Sequence, residues 1–95
     1  MRYIDRQILM RAVQEQQSAR FDTHDVIRAV MRIAPQEYVR ELYEYVETED
    51  PFKPVHGAIG SELAQMQGML RQLHRKVETM NIRGQLSPAE EWERI

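Results

Sequence analysis

The apolar residues Ile59, Leu63, Met66, Leu70, Leu73, Val77 and Met80 recur in strict four-three alternation. More than any other feature, this stripe limits what the chain can fold into. Carried to its end, it makes one face of a helix about three heptads long, the seam of a coiled coil. Its second half suits another backbone equally well. Val77 and Thr79 are branched at Cβ and favour a strand, and Asn81-Ile82-Arg83-Gly84 offers turn residues directly after them. Gly60 and Gly68 weaken a long exposed helix, and the flanks of the stripe lack alternating opposite charges. Two fold classes follow. One is mainly α with a small β-hairpin, and the other is all-α with a long C-terminal dimerising helix. Ser87-Pro88-Ala89-Glu90 fits the first turn of a last short helix as well as it fits a returning strand.

The N-terminal half reads as three helices. Ile4, Ile8, Leu9, Ala12 and Val13 form one apolar face of the first. Asp22 or Thr23 is placed to cap the second, with Asp25 adding favourable charge in its first turn and Val26, Ile27, Val30 and Met31 facing inward. Pro35 ends that helix and suits the first turn of a third, whose expected core face is Tyr38, Val39, Leu42, Tyr43 and Val46. The two prolines in Thr48–Pro54 predict a loop plugged by Phe52. A fourth helix is expected from about Val55 or His56, burying Ile59, Leu63, Met66, Leu70 and Leu73, with Gly60 marking the close passage of another backbone. Trp92 is expected to pin the last segment to the domain.

A chain of 95 residues, 42% of them hydrophobic and 29% charged, has the size and composition of one globular domain, 1–95. No apolar run is long enough for a membrane span, and Met1–Arg6 lacks the apolar centre of a signal peptide, so the expectation is a cytoplasmic protein. The absence of cysteine excludes disulfides, thiolate catalysis and cysteine-held zinc.

Residues 56–95, carried by Ile59-Gly60…Leu63, Arg75-Lys76-Val77-Glu78 and Asn81-Ile82-Arg83-Gly84…Trp92, resemble the recognition helix and wing of winged helix-turn-helix proteins. The resemblance implies a recognition helix in the DNA major groove and wing residues on the backbone or in the minor groove. The third helix makes the N-terminal part longer than the minimal fold of that family, and the expected recognition helix is poor in Lys and Arg.

Charge is unevenly spread although the net value is only −2. Residues 33–51 carry one base against six acids, whereas residues 52–84 carry five bases, Lys53, Arg71, Arg75, Lys76 and Arg83, against two acids. Clustered cations can neutralise phosphates and release counterions. Ser61 and Gln65 on the solvent face of the fourth helix can hydrogen-bond base edges. The candidate nucleic-acid contacts are therefore Lys53, His56, Ser61, Gln65, Arg71, Arg75, Lys76 and Arg83, with double-stranded DNA as the expected partner. The alternative is a protein-interaction module in which the 59–80 stripe dimerises or docks a partner helix.

His24, His56 and His74 contain no i, i+4 pair, and Glu37, Glu41 and Glu44 read as a solvated acidic face or a patch for a basic partner. No phosphate-binding loop, dinucleotide fingerprint, nucleophile elbow or zinc-protease motif occurs. The expectation is a non-enzymatic protein with no catalytic residue, cofactor, metal or small-molecule substrate.

Overall fold

Asp5, in extended conformation, accepts the Ile8 N–H at 2.9 Å and so opens α1 (Arg6–Gln14). All of residues 1–95 are described by this computed structural model. A short strand, β1 (Arg20–Asp22), runs directly into α2 (Thr23–Ile33). There the Asp22 side chain takes the Asp25 N–H at 3.0 Å and the Asp25 side chain takes the Asp22 N–H at 3.0 Å, a reciprocal cap that fixes the strand-to-helix corner. Pro35 starts α3 (Pro35–Tyr43), where its missing N–H leaves nothing unpaired. After an irregular stretch come α4 (Phe52–Ala64) and two long strands, β2 (Leu70–Met80) and β3 (Leu86–Arg94).

The sheet is antiparallel with strand order β1-β3-β2, so the last strand of the chain lies in the middle. Phe21 stands opposite Trp92, and β2 pairs with β3 from Leu70↔Arg94 to Met80↔Leu86. The ladder is interrupted between Gln72 and Lys76, where His74 adopts a positive φ of 56°. Such a bulge shifts the facing of the strand beyond it. The architecture is α+β, four helices with a three-stranded sheet, and no helix is long and apolar enough to cross a membrane.

The core joins α1, α2 and α4 to the sheet through Leu9, Val13, Ile27, Ile59, Leu63 and Trp92, all nearly or fully excluded from solvent. Trp92 is 1% exposed and donates its indole N–H to Thr23 Oγ1 at 2.9 Å, so the largest core side chain also satisfies its polar edge. Arg94 donates to the Val13 and Gln16 carbonyls at 3.1 and 2.6 Å, capping the C-terminal end of α1 from the far end of the chain.

Several sequence expectations change here. The long dimerising helix does not form: α4 ends at Ala64, residues 65–69 turn, and Leu70–Met80 is a strand. Leu70 and Leu73 therefore leave the helical stripe for the sheet. Ser87–Glu90 lies inside β3 rather than capping a helix. The helix expected from residue 55 begins at Phe52, with the Asp50 carboxylate taking the Phe52 N–H at 3.1 Å and Pro54 tolerated in the first turn.

On α3, Tyr38 is buried and Leu42 half-buried, but Val39 and Tyr43 are 61% and 73% exposed, and Val46, expected on the same helix, lies beyond its end and is 55% exposed. The helix is rotated because Glu41, only 3% exposed, turns inward and accepts the Ile4 N–H at 2.9 Å together with that of Tyr3. Two otherwise orphaned backbone donors recruit a carboxylate, which belongs to a structural clamp and not to a solvated acidic face.

Candidate functional site

Between the first two turns of α4 and the β2–β3 hairpin lies a polar cleft of about 420 Å³, floored by the N-terminal end of α2. Local chemistry builds each wall. At the hairpin tip the Asn81 side chain accepts the N–H groups of Arg83 and Gln85 at 2.9 and 3.1 Å, while Asn81 N–H donates to the Gln85 carbonyl at 2.8 Å. Gly84 completes the turn at φ +77°, a region open to glycine at little steric expense. The tip is held against α4 by Arg83, which donates to Asp50 at 2.6 Å and lies with its guanidinium 4.9 Å from the centre of the Phe52 ring.

His24, in the first turn of α2, braces the hairpin from beneath. Its Nδ1 is 2.8 Å from Thr79 Oγ1 and its Nε2 is 3.4 Å from Ser87 Oγ, so one imidazole bridges two facing strand residues. On the α4 side, His56 stacks on Tyr38 with ring centres 5.9 Å apart and shares a hydrogen bond of 2.6 Å between Nε2 and the phenol oxygen. Burial, and after it the nearby His24, lowers His56 from its ordinary value to about 4, partly countered by Asp50. Burial pushes Tyr38 up to about 12. Both rings are neutral at pH 7, so His56 shapes the cleft without adding positive charge.

Ion pairing decides which cations are free to meet a ligand. Nine arginines are paired with carboxylates. Among them, Arg71 pairs with Glu93, which also takes Arg20 at 3.0 Å, and Arg75 pairs with Glu91. The guanidinium of Arg71, followed by that of Arg20, holds the Glu93 carboxyl below the usual carboxylate range. By contrast, the two lysines of the chain, Lys53 and Lys76, form no ion pair, and both line the cleft from opposite walls.

Of the eight candidate residues, Lys53, His56, Lys76 and Arg83 meet at this cleft. Ser61 is exposed farther along α4 and Gln65 at its C-cap, while Arg71 lies at the other end of β2 and Arg75 in its interrupted middle, each paired with an acid of β3. The basic stretch of residues 52–84 is thus compensated by Glu90, Glu91 and Glu93, which the antiparallel return brings alongside it. Gly60 accompanies no passing backbone. A Cβ there would meet nothing within 4 Å, and the residue opens onto the cleft.

The sequence reading missed His24, Asn81, Ser87 and Glu90 as neighbours of the site. Asn81 carried a signal, an Asn three residues before a Gly at a turn, whereas the arrival of His24 depends on the sheet order. Glu90 is Cα partner to Lys76, yet its Oε2 is buried with no hydrogen-bond partner. No group of three or more His, Asp or Glu side chains is arranged to hold a metal ion. A scan against protein-family models, a search of the curated proteins and a search of the solved structures each found no match.

Proposed function

We propose that this is a non-catalytic, winged-helix-type domain that associates with double-stranded DNA through α4 and the β2–β3 hairpin. The observation that carries the reading is the cleft between these two elements, with the two unpaired lysines on facing walls and Arg83 at the hairpin tip. The order α1, β1, α2, then a helix leading into a hairpin whose second strand enters between β1 and β2, supports the winged arrangement. The third helix is an addition to it.

In this reading α4 presents Gly57, Ser61, Ala64 and Gln65, an exposed face of small or uncharged side chains. Small residues let the helix approach the groove closely, and Ser61 and Gln65 supply hydrogen bonds to base edges. Lys53, Lys76 and Arg83 neutralise phosphates, Arg83 by exchanging the Asp50 carboxylate for one. Arg71 and Arg75 stay with their β3 acids and contribute little.

Three phosphate contacts give a log–log salt slope of about −2.7, or a loss of roughly 40-fold in affinity for a fourfold rise in salt. With a net charge of −2 the protein has no general attraction for nucleic acid, so binding is weak at physiological salt. An amide NMR titration with a random-sequence duplex tests this. Shifts at Lys53, His56, Ser61, Gln65, Lys76 and Arg83 that fade with salt are expected, and Lys53→Gln with Lys76→Gln should flatten the slope to about −0.9. No shifts even at low salt overturn the reading.

A further inference from the structure

The cleft contains one group that a DNA backbone does not satisfy. Glu90 Oε2 is shielded from solvent and accepts no hydrogen bond, although the buried polar atoms of folded proteins are almost always paired. Lys76 stands directly opposite Glu90 in the strand register but is exposed and forms no ion pair with it. A phosphodiester of DNA offers only acceptors. The cleft therefore presents cations for an anion and, beside them, a carboxylate oxygen that needs a donor.

We propose that the cleft binds a small hydroxylated organophosphate, with its phosphate held by Lys53, Lys76 and Arg83 and a hydroxyl donating to the Glu90 carboxylate, which turns outward to meet it. Three features converge on this class. The volume of about 420 Å³ falls within the roughly 300–1,000 Å³ of small-molecule sites. Most of the lining residues have polar side chains, with Asn81, Gln85 and Ser87 adding hydrogen-bonding groups around the cations. The acidic lining residues Asp50 and Glu90 disfavour an anion without donors and so select for one that carries hydroxyls. Toward this small ligand Arg83 keeps Asp50 on one N–H and offers its other N–H groups to the phosphate, which leaves Glu90 as the acceptor that reads the hydroxyl. The inference rests on the geometry of the cleft and stands or falls apart from duplex binding, because it is tested without nucleic acid.

The probes are ribose 5-phosphate, which carries phosphate and hydroxyls, and methyl phosphate, which carries the phosphate alone, each titrated at pH 8 and followed by amide NMR. Ribose 5-phosphate should shift Lys53, Lys76, Arg83 and Glu90 and bind at least about tenfold more tightly than methyl phosphate, the expected gain from a hydrogen bond to a charged acceptor. Glu90→Leu should reduce that ratio to about one. Glu90→Gln, which keeps the shape and one acceptor, should retain part of it. Lys76→Gln should weaken both probes alike and leave the ratio unchanged. Equal affinity of the two probes for the unmodified protein, a ratio indifferent to Glu90→Leu in a folded variant, or no shifts from ribose 5-phosphate at millimolar concentration would each overturn the proposal.

Discussion

Protonating His56 should destabilise this domain, and the effect can be isolated. The ring lies between Tyr38, Phe52 and the cleft, with a value of about 4 in the fold against 6.5 when free. Between these two values the unfolded chain holds more protons than the folded one, so stability rises with pH. The contribution is complete above about pH 6.5 and is lost as pH falls toward 4. A shift of this size corresponds at full value to about 3 kcal/mol. Solvent reaches the edge of the ring through the cleft, and screening there reduces the expected loss to ~1–2 kcal/mol. The assay is urea unfolding of the unmodified protein and of His56→Gln at pH 7 and pH 4.5. Carboxylate titration affects both proteins, so the difference between their losses reports on His56 alone. The unmodified protein should lose ~1–2 kcal/mol more than the variant, and its His56 ring signals should stay neutral in NMR down to about pH 5. Parallel losses, or a ring that titrates near 6.5, would refute the burial argument.

Three further outcomes follow from the geometry. Glu41→Ala strips the acceptor from the Tyr3 and Ile4 N–H groups, the latter on a residue 2% exposed, and should lower urea stability by about 2–3 kcal/mol. Gly84→Ala forces a side chain into φ +77° with no crowding to add, so a loss of about 1–2 kcal/mol in thermal or urea unfolding is expected, and no loss would mean that the turn relaxes. Val39→Ser with Tyr43→Ser should change stability by no more than about 0.5 kcal/mol per site, because both side chains are exposed; a loss above 2 kcal/mol in total would show that they pack inward after all.

The helical half of this fold was legible wherever local chemistry and core packing agree. Leu9, Ala12 and Val13 carry the expected face of α1, and the Asp22–Asp25 cap is written in adjacent residues. The face of α3 was misread because hydrophobicity alone orients a helix only when no polar residue is needed inside, and Glu41 is needed by the backbone of Tyr3 and Ile4. The 59–80 stripe joined two elements by coincidence of period. Its apolar positions after Gly68 serve a strand in which Leu70 is buried and Met80 is 48% exposed, a gradient that no helical repeat would give.

For the site, the cations were visible but their partners were not. The basic count stopped at Gly84, just before the chain returns Glu90, Glu91 and Glu93 beside it. That Lys53 and Lys76 alone among the proposed cations remain unpaired at one cleft follows from register, which a single sequence does not fix before the sheet order is known.

The central position of β3 also bears on how the chain acquires its structure. Residues 91–93 hold β1 in the sheet, Trp92 fills the core against helices from the first half, and Arg94 closes α1. None of these contacts exists until residues 91–94 have been synthesised, so the helices emerge before the surface that buries them. Contacts spanning some 70 to 80 residues carry a large loop-closure penalty and slow the search for the native pairing. Deletion of residues 92–94 should therefore leave helices that fluctuate without a common core.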